Sequence, residues 1–307
     1  MCELLKNNNN ENVLLIKKYM KKQKAINPKL KIEEFTLPDD RTFKVCQDEY
    51  LIAGTKQRVA VKYVKKILKD NPKIKYILYS GMCNGYGNVV TAYAAYKLNI
   101  KSILFLSKID GMTDEEIKSS RQVSTIHALN GKIYLCDDYT SAKNKKYEIN
   151  DDKNHVPKKD HLMLPMGLND DDDTGSKILI KQLKSAIKNT EVDKNKNKKR
   201  FWLVMGVGGL LHTLYNLFPE SEFFVYIVSK GRFLEESINW CKNHNINILN
   251  SFKFKFNLNS FKMNLNLKRE DYYNSTKDYD DLIWPYLIQY GKSGDYIWNV
   301  ASDNIPN

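Results

Sequence analysis

Three short segments of the 307-residue chain carry residue types that could do chemistry. In Gly54-Thr55-Lys56-Gln57-Arg58 a lysine sits among small residues that let a ligand come close. A partly desolvated lysine has an accessible neutral amine, and a neutral amine can form an imine with a carbonyl compound. The segment Ser80-Gly81-Met82-Cys83-Asn84-Gly85-Tyr86-Gly87-Asn88 combines glycines and asparagines. Those residues tolerate tight turns and let backbone approach a ligand. Met205-Gly206-Val207-Gly208-Gly209-Leu210 puts glycines between a hydrophobic run and a helix-like stretch. Backbone N–H groups and the helix dipole at such a junction make a cradle for a phosphate. The spacing is not GxGxxG and no acidic residue follows in the place a ribose needs, so a phosphate monoester fits better than a dinucleotide. Taken singly, each segment also has a plain reading: a solvated lysine, a strand-to-helix loop, a close-packed turn.

The surrounding pattern says what positions these segments. Asp48–Ile52 reads as a short strand running into Ala53–Arg58, and Val59–Asn71 has helical spacing with a proline stop at Pro72. Lys75–Ser80, Lys101–Lys108 and Lys132–Cys136 are apolar strands, with an alanine-rich helix after the first. A further helix is expected over Asp114–Leu129, with Thr113 or Asp114 as its cap. Lys177–Lys188 reads as an amphipathic helix, Asn189–Lys199 as a biased linker, and Phe201–Phe218 as strand, glycine turn and helix. Phe223–Gly231 is another strand and Leu234–Asn243 another helix. Ser251–Lys268 alternates polar and apolar residues, as a surface strand pair or a biased insertion. Alternation of this kind predicts an α/β fold with mainly parallel sheets covered by helices.

Composition narrows the class. The net charge is +13, from 49 Lys+Arg against 36 Asp+Glu. The excess lies in runs such as Lys17–Lys24, Lys143–Lys146 and Lys194–Arg200, and no aromatics interleave with the last two as a nucleic-acid stacking surface needs. Nucleic acid is not the expected partner. Five cysteines without CxxC spacing predict reduced thiols and neither a disulfide framework nor a zinc site. No apolar run approaches the roughly 20 residues that span a bilayer, so the expected setting is the cytoplasm. His155, His161 and His212 read as ordinary histidines, and Asp170–Asp173 as a solvated turn.

Taken together and in order, DEYLIAGTKQR, YILYSGMCNGYGNVVTAYAAYKLNIKSILFL and FWLVMGVGGLLHTLYNLFP resemble the pyridoxal-phosphate (PLP) enzymes of fold type II, the tryptophan-synthase-β-like family. The similarity is strongest to the aminocyclopropane-carboxylate-deaminase-like branch, including PLP-dependent lyase-like proteins of viruses. It includes an LxPxGL segment at Leu164–Leu168 and a tail with Tyr279, Asp280, Trp284, Trp298, Asn299 and Val300. It spans about Asp48 to Val300.

The resemblance implies two three-layer α/β domains with the cofactor in the cleft between them. Residues 1–79 and 160–307 would form the larger domain and 80–159 the smaller, with 189–199 and 251–268 as biased insertions. It implies that Lys56 is the Schiff-base lysine and proton carrier, and that Asn84 bonds the cofactor's phenolic oxygen. Gly206, Val207, Gly208 and Gly209 would hold its phosphate. Ser80, Gly81, Met82, Cys83 and Gly85 would line the site for a substrate carboxylate. Arg58 would sit near the phosphate or pair at the surface. Val207 stands where a hydroxyl residue is common. Asn299 and Ser302 are the candidates beside the pyridine nitrogen, where a neutral partner favours β-elimination or replacement over racemisation. Cys83 reads as an inert buried thiol. The implied activity is that of a lyase or deaminase on a small amino acid, in a homodimer, in the cytoplasm (a host's cytoplasm for a viral chain). The alternative is a degenerate member that binds a ligand or partner without turnover.

Overall fold

The computed structural model describes residues 2–5, 11–23, 25–148, 160–165, 168, 173–194, 198–228, 232–251, 273 and 279–301. The expectations for Ser302, His155, Asp170–Asp172 and 252–268 lie outside the described residues. In chain order the strands are β1 (Cys2–Leu5), β2 (Ile32–Thr36), β3 (Thr42–Gln47), β4 (Tyr76–Met82), β5 (Lys101–Ser107), β6 (Lys132–Cys136), β7 (His161–Met163), β8 (Arg200–Met205), β9 (Glu222–Ile227), β10 (Asn247–Ser251) and β11 (Tyr296–Asn299). The helices are α1 (Glu11–Lys22), α2 (Gln57–Asp70), α3 (Tyr86–Lys97), α4 (Asp114–Ser119), α5 (Arg121–Ala128), α6 (Tyr139–Glu148), α7 (Thr174–Ile187), α8 (Glu191–Lys194), α9 (Gly209–Leu217), α10 (Arg232–Asn243) and α11 (Trp284–Tyr290).

Two compact units result. The first comprises Met1–Asn27, Leu51–Ile178 and Asp303–Asn307; the second comprises Pro28–Tyr50 and Leu179–Ser302. The first unit holds a sheet in the order β1-β6-β5-β4-β7, with β4 parallel to β5 and β7 and β5 parallel to β6. β1 runs antiparallel to β6 at the edge. Leu78, Ile103, Phe105, Cys136 and Ala142 pack together in it, and Val13 and Ile16 of α1 pack on Ala128 of α5. The division differs from the expected 80–159 domain because β4 and β7 pair, which puts the strands at both ends of that segment in one sheet.

The second unit holds a sheet in the order β10-β9-β8-β11-β3-β2, parallel except for β2 against β3. Successive β8 residues feed opposite faces. Phe201, Leu203 and Met205 belong to one apolar cluster, and Trp202 and Val204 to the other. Such two-sided burial is what a continuous apolar strand in a covered parallel sheet predicts.

Some local expectations are corrected. The strand before the lysine segment is β3, and Asp48–Tyr50 is a short 3-10 turn with Asp48 and Glu49 buried. The single helix over Asp114–Leu129 is two. Thr113 caps α4 through a reciprocal capping box with Glu116, and Ser120 then breaks the run and caps α5 by accepting from Val123 N–H. Part of the 189–199 linker is α8, held by the fully buried Val192. Not every thiol is reduced: Cys2 and Cys136 are register partners across β1 and β6 and are joined by a disulfide. An edge strand contributed by the first five residues carries no sequence signal beyond that cysteine. Cys46, Cys83 and Cys241 are free and buried. Among the described residues no helix is long and apolar enough to cross a membrane, and no group of three or more His, Cys, Asp or Glu could hold a metal ion.

Candidate functional site

The lysine segment of the first unit turns at the start of α2. Gly54 takes φ of 61°, a conformation glycine adopts without a Cβ penalty, and its N–H bonds to the Leu51 carbonyl. Lys56 stands in the cap position of α2, half-buried, and its carbonyl accepts from Val59 and Ala60. The turn is pinned from beneath. Gln57, fully buried, donates to Gln23 Oε1 and the Ile26 carbonyl and accepts from Ala53 N–H. Arg58 does not pair at the surface: it is 1% exposed and its Nη1 donates to Asn27 Oδ1 at 2.7 Å. Thr55 is buried beside the lysine, and its hydroxyl has no hydrogen-bond partner among the described residues.

The second segment continues β4 into α3. Asn88, which sequence reasoning did not single out, organises it. Its side chain is fully buried, and Nδ2 donates to the carbonyls of Met82 (2.7 Å) and Gly85 (3.2 Å), leaving Oδ1 without a partner among the described residues. A Cβ on Gly87 would lie 2.4 Å from Tyr79 Oη, so this position is a glycine because the Tyr79 ring occupies the space. Of the residues expected around a substrate, Ser80, Gly81 and Cys83 are buried, Gly85 is half-buried, and Met82 and Asn84 are exposed. Burial raises the Cys83 thiol above its ordinary value, which fits an inert thiol and not a nucleophile.

The third segment lies in the second unit, where β8 passes into α9. Gly208 caps α9 with φ of 85°; a Cβ there would come 2.8 Å from Met205 Cε and 3.1 Å from His212 Nε2. A Cβ on Gly209 would meet nothing within 4 Å, so the space beside the first turn of α9 is open. A glycine turn at a helix start is where an anion seat is expected.

Around this turn the carboxyl ends of β3, β8 and β11 gather buried polar groups, and these are what the sequence reading largely missed. Tyr279 is half-buried and hydrogen-bonds the Gly206 backbone, and desolvation raises its phenol far above the ordinary range. Asp280 is fully buried. Its Oδ2 accepts from the N–H groups of Val300 (2.9 Å) and Ala301 (3.1 Å), while Oδ1 has no hydrogen-bond partner among the described residues. Burial raises its carboxyl well above the ordinary value, and the charges of Glu49 and Asp281 add to the effect. Glu49 is pushed up to about 8, chiefly by burial, and receives the Tyr273 hydroxyl at 2.8 Å. Trp298 Nε1 donates to Asp48 Oδ2 at 3.2 Å. Asn299 is fully buried against the Glu49 carboxyl, and neither of its amide atoms makes a well-formed hydrogen bond among the described residues. In open parallel sheets ligands bind beyond the carboxyl ends of the strands, where these orphaned atoms lie.

Each unit presents its own chemical groups. The first offers a lysine amine on a rigid turn. The second offers a glycine turn at a helix start with open space beside it, and unpartnered buried atoms on Asp280 and Asn299 of the kind a polar ligand atom would satisfy.

No family model matches the chain, and no curated protein matches it in sequence. Solved structures do match its fold. An aminocyclopropane-carboxylate (ACC) deaminase homologue superposes with a TM-score of 0.61 at 13% identity, covering 93% of this chain and 94% of its own. A hydrogen sulfide-producing enzyme from Fusobacterium nucleatum gives 0.59 at 13%, covering 92% and 99%. Diaminopropionate ammonia lyase from Escherichia coli, solved with an aminoacrylate–PLP azomethine reaction intermediate, gives 0.56 at 11%, covering 99% and 94%. The chain has the α/β architecture of fold type II PLP enzymes, with two sheets of mainly parallel strands.

Proposed function

We propose that this protein is a PLP-dependent lyase or deaminase acting on a small amino acid, with Lys56 as its Schiff-base lysine. One observation carries the reading: in a chain with the fold of such enzymes, the half-buried lysine on a strand-to-helix turn and the glycine cradle before α9 occur in the order that fold requires. When bound, PLP supplies an electron sink for charge developing at the substrate Cα. The chain's own residues do the rest. The N–H groups of Gly206, Val207, Gly208 and Gly209 hold the phosphate, with the α9 dipole adding to their attraction. The Lys56 amine would hold the cofactor and would serve as the proton carrier at the substrate Cα. Asn84 would reach the phenolic oxygen from a loop that Asn88 fixes. Ser80, Gly81, Met82, Cys83 and Gly85 surround the substrate carboxylate. Asn299 and Ser302 were the expected neutral neighbours of the ring nitrogen; Asn299 is buried beside Glu49, Ser302 lies outside the described residues, and Asp280, whose Oδ1 has no hydrogen-bond partner among the described residues, would be an acidic alternative.

The test is the visible absorption of purified protein with added PLP, for wild type and Lys56→Ala. A Schiff-base band in wild type that disappears in the variant supports the assignment; a band that survives the substitution removes Lys56 from the role. Val207, which supplies no side-chain donor to the phosphate, favours the second reading of a PLP-binding protein without turnover. A Lys56-dependent band with no reaction across small amino acids would select it.

A further inference from the structure

We propose that the exposed face of α1 is a docking surface for an anionic lipid membrane, with Leu14 and Leu15 entering the apolar boundary and Lys18, Lys21 and Lys22 meeting the head groups. The inference concerns the first unit alone and does not depend on the reading above.

One face of α1 is already spent. Val13 and Ile16, both buried, pack on Ala128 of α5, with Met20 beside them. The helix is also tied near both ends. Asn12 Nδ2 donates to the Ser119 carbonyl at 3.4 Å, and Gln23, just past the last turn, accepts from Gln57 Nε2 at 3.2 Å. Held in this way, α1 does not roll to bury its other side. That side carries Leu14 and Leu15, 59% and 46% exposed; among the described residues Leu14 is the most exposed of the large hydrophobic side chains. Helical spacing sets Leu14, Lys18 and Lys21 along one row and Leu15 and Lys22 along the next, so leucines and lysines share one face. The three lysines are exposed, and none makes an ion pair or hydrogen bond among the described residues. The one acid of the helix, Glu11, stands in the first turn, away from the lysines. Cations in a last turn are favoured by the helix dipole, which accounts for Lys21 and Lys22. It does not account for adjacent leucines left in water on the same face. A surface of anionic lipids satisfies both halves at once. Its head groups attract the lysines, its acyl boundary takes the leucines, and lysine stems reach from that depth back to the phosphate level. A nucleic acid offers the charge without an apolar boundary, and Tyr19, the one aromatic of α1, is half-buried and gives no open platform for a base. The net charge of +13 draws the whole chain toward such a surface.

Co-sedimentation of the full chain with vesicles tests this, comparing pure phosphatidylcholine with a phosphatidylcholine–phosphatidylserine mixture. Wild type should bind the mixed vesicles and not the neutral ones, and salt should weaken the binding. Changing Lys18, Lys21 and Lys22 together to Gln should lower the affinity about a hundredfold, at about fivefold per lysine. Changing Leu14 and Leu15 together to Ser leaves the charge as it is and should lower the affinity at least about tenfold. All five side chains are exposed, so both variants should keep the circular dichroism and melting temperature of wild type. The leucine variant is the decisive one. If it binds mixed vesicles as wild type does, charge alone explains the attraction and the proposal is overturned. Equal binding to neutral vesicles overturns it too, as does binding to neither. Duplex DNA bound as tightly as the mixed vesicles, and equally by the leucine variant, would assign the face to nucleic acid. A dimer in sedimentation equilibrium that the leucine variant splits would assign it to a second copy of the chain. Either result overturns the lipid assignment.

Discussion

Replacing Glu49 by Gln should flatten the alkaline loss of stability, and the size of the effect can be worked from the structure. The Glu49 carboxyl lies at about 8 in the fold against an ordinary 4.5. A raised carboxyl holds, in the folded state, a proton that the unfolded chain has already released. Between the two values the native state binds more protons, so stability falls as pH rises through that window and the loss is complete above pH 8. At about 1.36 kcal/mol per pH unit the window is worth at most about 5 kcal/mol. That is a large share of the 5–15 kcal/mol typical of a native domain. Gln is isosteric and does not titrate, and its amide oxygen can still accept from Tyr273. Glu49→Gln should therefore match wild type near pH 4.5 to within about 1 kcal/mol, the worth of one hydrogen bond, and exceed it by several kcal/mol at pH 9. Asp280, raised in the same direction, leaves a residual slope in both proteins, so the difference between the two curves is the quantity to read. Urea unfolding at pH 5, 7 and 9, with equal m-values as a control, measures it. Parallel curves for the two proteins across this range would refute the burial argument for Glu49.

Three further outcomes follow from local geometry. Gly208→Ala puts a Cβ on a residue at φ of 85° and 2.8 Å from Met205 Cε, so it should cost about 1–2 kcal/mol in stability and weaken binding of inorganic phosphate or PLP, measured by calorimetry; unchanged affinity would move the anion seat elsewhere. Gly87→Ala meets Tyr79 Oη at 2.4 Å and should cost about 1–3 kcal/mol, and adding Tyr79→Phe should return part of it by removing the oxygen; a thermal melt of the single variant like that of wild type would show that the ring moves freely. Cys2→Ser should lower the melting temperature, and reductant should lower that of wild type only, because the disulfide closes a separation of 134 residues and such cross-links contribute about 2–4 kcal/mol; equal response to reductant in both would mean the bridge is not formed in solution.

The contrast between the legible and illegible parts of this site has a physical basis. The turns at Lys56 and at Gly206–Gly209 were readable because their conformations are written locally, in a lysine beside a flexible turn and in glycines between a strand and a helix. The strand and helix types around them were readable for the same reason: apolar runs such as Phe201–Met205 must be covered on both faces. The boundaries were not, since Ser120 divides one helical period into two helices by a single side-chain cap. Asn84 and Asn88 are both loop asparagines by sequence, and only the fold decides that Asn88 turns inward to hold Met82 and Gly85 while Asn84 stays exposed. Asp280 and Glu49 are the extreme case. In a chain with 36 acidic residues a carboxylate is by default solvated, and although Asp280 falls in the aromatic tail that carries the resemblance, neither its type nor that of Glu49 marks it as buried. Their burial comes from strand order: β11, the last strand in the chain, inserts between β8 and β3, and this brings residues 49 and 280 to the same end of one sheet. A pairing that long in sequence leaves no periodic signal, yet it takes two acids out of water. Desolvation of that size is retained where a function uses it or where other contacts offset it. Among the described residues Asp280 keeps one oxygen without a hydrogen-bond partner, which is what a polar ligand atom would satisfy.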